Sequence, residues 1–89
     1  MNNDPAELSA RIGRVMGEVL VREPLGADED FFKSGGDSLR AVEMLQRLAR
    51  LDGWADRLGT PETQARLLEE VFEVATPRAL AAAAYASAS

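Results

Sequence analysis

The 89-residue chain contains neither cysteine nor histidine, and these two absences exclude several kinds of chemistry. A Ser-His-Asp or Cys-His nucleophilic device cannot be assembled within this chain. Thiolate and imidazole metal sites are excluded for the same reason, and no disulfide can staple the fold. The carboxylates remain as acids or bases, but so short a chain leaves little room for an enclosed substrate pocket. We therefore expect a protein with no catalytic or metal site of its own.

Basic residues and long apolar runs are also scarce. Ten Lys and Arg against 15 Asp and Glu give a net charge of −5. Proteins that bind nucleic acid usually have basic patches, because these neutralise the backbone phosphates. The longest apolar tract, 79–86, is far shorter than the roughly 20 residues that a membrane span requires. Residues 1–7 lack the basic start and apolar run of a signal peptide. These features predict a cytoplasmic protein that binds neither nucleic acid nor membranes.

Apolar spacing predicts a small all-α protein, because no segment alternates in the manner of a strand. Asp4 and Pro5 are typical of a helix start, and the three- and four-residue spacing that follows predicts a first helix over 5–21. A long ordered loop follows. The Thr-Pro pairs Thr60-Pro61 and Thr76-Pro77 predict the starts of the two last helices.

The second helix is predicted over 38–51. Its inner stripe is predicted to contain five residues, with Ser38 at its N-terminal edge: Ala41, Val42, Leu45, Leu48 and Ala49. Arg40, Glu43, Arg47 and Arg50 fall on the opposite side. Met44 is expected at the surface, on the edge of the polar side. Leu39 is predicted either to contact partners or to fold back into the core.

The remaining apolar residues complete a predicted bundle of four helices, formed by residues 1–89 as one domain with a frayed tail at 86–89. Trp54 and Leu58 are four residues apart, which predicts one short apolar turn in the connector. The inner residues of the last two helices are expected to be Leu67, Leu68, Val71 and Phe72, then Leu80, Ala83, Ala84 and Tyr85.

The segment from Asp28 to Leu39, DEDFFKSGGDSL, places one serine behind a paired-glycine turn and at the start of the second helix. Backbone N–H groups at a helix start carry partial positive charge and stabilise anions. A serine at this place is also typical of an N-cap, which is the simpler interpretation of Ser38 alone. Apolar rings in a polar loop usually anchor it, so at least one of Phe31 and Phe32 is predicted to be buried.

This segment resembles the modification site of thiolation (peptidyl carrier) domains of nonribosomal peptide synthesis, and it meets the family pattern D-x-F-F-x-x-G-G-x-S-L at every fixed position. Residues 67–80 resemble the family's L-x-x-L-F-E-x-P-T-x-x-x-L segment, with the proline shifted to follow the threonine. Two features depart from the family. Asp37 stands where many members carry His, and the connector 51–62 is longer than usual.

The resemblance implies an acyl-carrier-protein-like four-helix bundle with a long loop between helices 1 and 2. It implies a covalent 4′-phosphopantetheine on Ser38, with Gly36, Asp37 and Leu39 around it, whose thiol holds an aminoacyl or peptidyl group as a thioester. The domain would be a non-catalytic monomer, modified in trans by a phosphopantetheinyl transferase. Its other partners would be an adenylation enzyme and condensation or tailoring enzymes. The residues expected to contact partners are Leu39, Arg40, Glu43, Met44 and Arg47.

Two alternatives remain at this point. Acyl carriers of fatty acid or polyketide synthesis usually have a strongly acidic second helix. Here the second helix contains three arginines and only one acidic residue, Glu43, which favours the peptidyl type. The other alternative is a helical docking module that is never modified. A chain that starts with Met and ends within one domain's length favours a free-standing carrier. Nothing in these residues encodes the cargo.

Overall fold

The structure is a computed structural model that describes residues 4–87, without the side chain of the last of these. The described part contains five helices: α1 (Pro5–Leu20), α2 (Ser38–Ala49), α3 (Ala55–Leu58), α4 (Pro61–Val71) and α5 (Pro77–Ser87). The predicted all-α fold is confirmed, and α3 is the short turn expected in the connector. The frayed tail was expected at 86–89, but α5 extends through residues 86 and 87, and residues 88–89 lie outside the described part.

Polar side chains begin the helices as their spacing predicts. An Asp4 carboxylate oxygen accepts the Glu7 backbone N–H at 2.7 Å, at the start of α1. The hydroxyl of Thr60 accepts from the Thr63 N–H at 3.2 Å before α4, and that of Thr76 accepts from the Ala79 N–H at 3.1 Å before α5. Each cap satisfies one N–H that would otherwise lack a partner in the first turn.

The end of α1 has an unusual residue in a common motif. Val21 adopts φ 58° and ψ 53°, its N–H donates to the Glu18 carbonyl, and the Arg22 N–H donates to the Gly17 carbonyl at 2.9 Å. This is a Schellman ending, in which the left-handed position is usually glycine. The chain then reverses so closely over Gly17 that a Cβ there would collide with the carbonyl oxygen of Glu23, 2.6 Å away.

The core lies between α1, α5 and α4, with α2 closing one side. Fully buried side chains from all of these helices meet there: Leu8, Ile12, Met16, Met44, Leu48, Leu67, Val71 and Leu80. Trp54 and Leu58 are buried as predicted. The prediction for α4 is partly wrong, because Leu68 and Phe72 are exposed while Leu67 and Val71 form the inner face.

The long loop 21–37 is held against α5 by backbone and side-chain hydrogen bonds. The Arg78 N–H donates to the Ala27 carbonyl at 3.0 Å, and its guanidinium binds both carboxylate oxygens of Asp28 at 2.8 and 3.1 Å. These hydrogen bonds, and the positive charge behind them, hold the pKa of the exposed Asp28 carboxyl below its ordinary value. The Phe31 N–H donates to the Ala75 carbonyl at 2.8 Å.

Within residues 4–87, no helix has both the length and the apolar character needed to cross a bilayer.

Phe31 is fully buried and Phe32 is partly buried, which confirms the predicted anchoring of the loop. Phe31→Ala is therefore expected to lower the free energy of unfolding by about 3–5 kcal/mol, because it removes a core ring and leaves a cavity. Phe72→Ala is the matched control: it removes an exposed ring that only stacks on Phe32, and should cost about 1 kcal/mol. Urea unfolding of both variants measures the difference. Equal losses would show that the Phe31 ring does not anchor the loop.

Candidate functional site

The paired-glycine turn lies directly on the buried Phe31 ring. The Phe31 carbonyl accepts from the N–H of Ser34 at 3.2 Å and from that of Gly36 at 3.0 Å. A Cβ at Gly36 would collide with the Phe31 ring, and Gly35 adopts φ 113°, a conformation that costs glycine little. The turn therefore holds the start of α2 at a fixed place above the core.

Asp37, and not Ser38, is the N-cap of α2. Asp37 has extended backbone angles, and its carboxylate accepts the Arg40 N–H at 2.9 Å while its carbonyl accepts the Ala41 N–H at 2.9 Å. Ser38 is the first helical residue and is exposed. The interpretation of Ser38 as a cap is therefore wrong, and its hydroxyl is left available for another use.

The backbone around Ser38 is suited to an anion. Within the described residues, the N–H groups of Ser38 and Leu39 donate to no protein acceptor, as is usual for the first turn of a helix. They lie at the positive end of the α2 dipole. A phosphodiester on the Ser38 oxygen would lie beside these donors, so the residues present fit a phosphate-linked group.

Exposed apolar side chains lie at the same end of the bundle as Ser38. Leu39 is 79% exposed, so the open choice between surface and core is decided for the surface. Val42, one turn further along α2, is 42% exposed and was wrongly predicted to be internal. Phe72 is 56% exposed and stacks on Phe32 with ring centroids 5.8 Å apart.

Sequence reasoning missed Phe72 and Val42 as surface residues. The pairs Leu67 with Val71 and Leu68 with Phe72 are both spaced four apart, so either pair has the period of an inner face. No signal within α4 alone distinguishes the two stripes. The stacking of Phe72 on Phe32 depends on tertiary contact between α4 and the loop.

Two of the charged residues expected to contact partners form ion pairs on α2. The guanidinium of Arg47 is 2.9 Å from the Glu43 carboxylate, and it also lies 3.8 Å from the Glu18 carboxylate of α1. All three side chains remain about half exposed, so each pair contributes little to stability. Arg40 is exposed. These charges are therefore at the surface, as predicted.

Met44 is a correction. It was expected at the surface, but it is fully buried. The buried residues of α2 are Ala41, Met44, Leu45 and Leu48, so the inner face is rotated by about 50° from the predicted stripe at 100° per residue. The rotation brings the Met44 edge under α1, which packs on this side through the Arg47–Glu18 contact. Met44 cannot contact a partner without unfolding of this packing.

The comparison with known families agrees with this geometry. The family described as "Phosphopantetheine attachment site" matches residues 6–84. The chain belongs to this family of phosphopantetheine-binding carrier domains. Its members carry covalently attached 4′-phosphopantetheine, which supplies a terminal thiol, and the carrier domains themselves are non-catalytic.

Similar segments occur in large synthases. The chain is 35% identical over 75 residues to phenyloxazoline synthase MbtB of Mycolicibacterium paratuberculosis, which covers 84% of this chain and 6% of that protein. It is 39% identical over 56 residues to MbtB of a Mycobacterium species, covering 63% and 4% of the two proteins. Identity to bacitracin synthase 2 of Bacillus licheniformis is 37% over 46 residues, covering 52% and 2%. No solved structure gives a significant match.

The chain thus spans 6% or less of the length of these relatives. The predicted peptidyl carrier function in nonribosomal peptide synthesis is confirmed at the level of the domain. Carrier domains of this kind work with synthetase enzymes.

The cap at Asp37 can be tested independently of any modification. Asp37→Ala should lower the free energy of unfolding by about 1 kcal/mol, because the Arg40 N–H loses its acceptor. In a domain of this size that loss corresponds to about 4–8 °C in Tm. Asp37→Asn is the control and should retain most of the stability, since its side-chain oxygen can still accept. Thermal unfolding of both variants gives the comparison, and equal Tm losses would contradict the capping role.

Proposed function

We propose that Ser38 is the residue that carries the phosphopantetheine arm, and that the domain presents an aminoacyl or peptidyl thioester on it to partner enzymes. The observation that carries the proposal is the division of roles between neighbours. Asp37 caps α2, so within the described part of the chain the exposed hydroxyl of Ser38 has no structural hydrogen bond to give up. The adjacent N–H groups of Ser38 and Leu39 favour the phosphate that modification would add.

The activation of Ser38 must come from another protein. The chain has no histidine or cysteine, and a lone serine hydroxyl is a weak nucleophile without a base. A phosphopantetheinyl transferase would supply that base together with coenzyme A. The Ser38 oxygen would bond to the phosphorus next to pantetheine, the pyrophosphate P–O bond would break, and 3′,5′-ADP would leave as the base takes the hydroxyl proton.

The remaining residues near Ser38 have positioning roles in this proposal. Asp37 is an acceptor-only carboxylate, so it would orient the first turn of α2 and not bind the phosphate directly. Gly36 would let the turn approach Phe31, which keeps Ser38 in place. Leu39 would extend beyond the arm into solvent, where a partner can reach it.

Mass spectrometry after incubation with coenzyme A and a broad-specificity phosphopantetheinyl transferase tests the attachment. The wild-type domain should gain one phosphopantetheine, and Ser38→Ala should gain none while losing little stability, because Ser38 is not the cap. Ser34→Ala, in the same loop, is the matched control and should be modified normally. Modification of Ser38→Ala at the normal rate would overturn the assignment, and no modification of the wild type would favour an unmodified docking module.

We propose that the partners dock on the exposed face of α2 and the end of α4, with the domain acting as a monomer. The predicted contacts Leu39, Arg40, Glu43 and Arg47 are all at the surface, whereas Met44 is excluded by burial. Val42 and Phe72 add apolar area at the same end. Small contacts of this type suit brief complexes with the transferase, an adenylation enzyme, and condensation or tailoring enzymes in turn.

Substitutions on this surface should separate docking from folding. Leu39→Asp and Arg40→Glu should leave Tm nearly unchanged, because both side chains are exposed, and should slow modification by the transferase. Arg14→Glu is the charge-matched control: Arg14 lines the groove formed by α1, α5 and loop residues 24–27, in which no residue of α2 takes part, and its reversal should not affect the rate. Initial rates and Tm for the three variants decide the matter. Normal rates for both α2 variants would contradict docking at this surface.

A further inference from the structure

The proposed carrier function makes no use of a groove that lies between α1, loop residues 24–27 and α5. No residue of α2 lines it. Its volume is about 700 Å³, within the range of about 300–1,000 Å³ that is typical of small-molecule sites. Proline, alanine and leucine side chains form most of the lining. Among the described residues that line the groove, none is acidic, and those with polar side chains are Ser9, Arg14 and Arg78.

Ser9 and Leu25 form the floor of the groove, because they are its buried lining residues, at 6% and 4% exposure. The Ser9 hydroxyl oxygen is covered and makes no hydrogen bond within residues 4–87. A buried hydroxyl without a partner is destabilising, and in native proteins such a group usually has a bound water or another polar partner. Rotation about χ1 moves this oxygen between staggered positions, so it can meet a polar group that binds on the floor.

The unpaired positive charge of the groove belongs to Arg14. This residue is exposed, and its guanidinium makes no hydrogen bond or ion pair with any other residue of the described part. The Arg78 guanidinium is already held by Asp28 at 2.8 and 3.1 Å. The carboxylate of Glu29 accepts the Gly26 N–H at 2.7 Å. An anion that enters the groove would therefore meet one free guanidinium beside apolar walls.

We propose that this groove binds a small organic carboxylate whose apolar body carries a second polar group, the chemical class of N-acylated amino acids. The carboxylate would bind the Arg14 guanidinium, whose planar fork of N–H donors matches two carboxylate oxygens. Ser9 precedes Arg14 by about 7.5 Å along the axis of α1, and helical side chains tilt toward the N-terminus. A carboxylate at Arg14 and an amide over Ser9 can thus belong to one small molecule, with its apolar body against the proline and alanine walls.

Two probes that differ in charge test the carboxylate: N-acetyl-L-phenylalanine and its neutral amide. Chemical-shift titration by two-dimensional NMR, on the unmodified 89-residue domain, measures both the affinity and the place of binding. The acid should shift the resonances of groove residues such as Ala10, Gly26 and Ala82. The amide should bind about tenfold more weakly, because it loses the charge-assisted hydrogen bonds to Arg14. Equal affinities, or shifts confined to residues outside the groove, would overturn the inference.

Substitutions test the two polar contacts. Arg14→Glu should weaken binding of the acid at least tenfold and leave Tm nearly unchanged, because the side chain is exposed and unpaired. Arg66→Glu, at an exposed position of α4 outside the groove, is the charge-matched control and should retain the affinity at physiological salt. Ser9→Ala removes an unpaired buried hydroxyl, so it should weaken binding severalfold without lowering Tm.

Hydrocinnamate, which lacks the amide, separates the Ser9 contact from a general effect on the groove. It should bind the wild type and Ser9→Ala equally, because it offers the hydroxyl no partner. Undiminished binding of N-acetyl-L-phenylalanine to Arg14→Glu would overturn the inference, as would equal losses in Arg14→Glu and Arg66→Glu. These measurements use the unmodified domain, so their outcome is independent of the attachment at Ser38.

Discussion

The buried ring of Phe31 is the constraint on which the position of Ser38 depends. Its N–H binds Ala75 at the entry to α5, its carbonyl binds the glycine turn, and its ring lies under Gly36. One residue thus connects the far end of the chain to the start of α2. The long loop has few other apolar anchors, with Leu25 the main one, so the remaining polar residues can stay solvated without loss of order. A residue that directly follows a long loop needs this kind of support to keep its place, because loops without buried contacts open locally at little cost.

The local electrostatics at the start of α2 follow from this anchoring. Because the turn fixes residue 37 in an extended conformation, its carboxylate reaches the Arg40 N–H and takes the capping role. That leaves Ser38, the next residue, inside the helix with an exposed hydroxyl, and among residues 4–87 the N–H groups of Ser38 and Leu39 have no protein acceptor. The same arrangement with serine as the cap would use the hydroxyl to satisfy the helix. Capping by Asp37 and availability of Ser38 are thus one structural feature.

Much of this arrangement could be predicted from the sequence, because it depends on local chemistry. The caps at Asp4, Thr60 and Thr76 each join a side chain to a backbone N–H only three residues further along the chain. The paired glycines before Ser38 likewise indicate a tight turn from the local sequence alone. The expectation that Ser38 carries phosphopantetheine came from the resemblance to the family pattern.

The predictions that failed concern which face of a helix is buried, and this depends on how the helices pack against one another. Met44 was placed outside and Val42 inside because the inner face of α2 is decided by where α1 lies across it, and the helical period alone leaves that rotation open by about half a residue step. Phe72 was placed inside because α4 has two apolar stripes of equal period, and only contact with Phe32 shows which one faces outward. The exposed, strained Val21 was assigned to the helix itself, since the reversal over Gly17 is a long-range packing effect of the loop.

The exposed apolar residues have a physical cause that bears on function. A domain of this size buries only about 60% of its unfolded surface, so some apolar side chains remain outside in any case. Three of the six large exposed apolar side chains among the described residues, Leu39, Val42 and Phe72, lie toward the end that carries Ser38, and none of them belongs to the buried core. Each is a single side chain next to solvated charges, and none forms a broad apolar face. In the proposed docking, this surface would give each partner enzyme only a few contacts and no large interface. Such weak attachment would suit a carrier that is released by one enzyme before it meets the next, since large apolar interfaces are typical of permanent complexes.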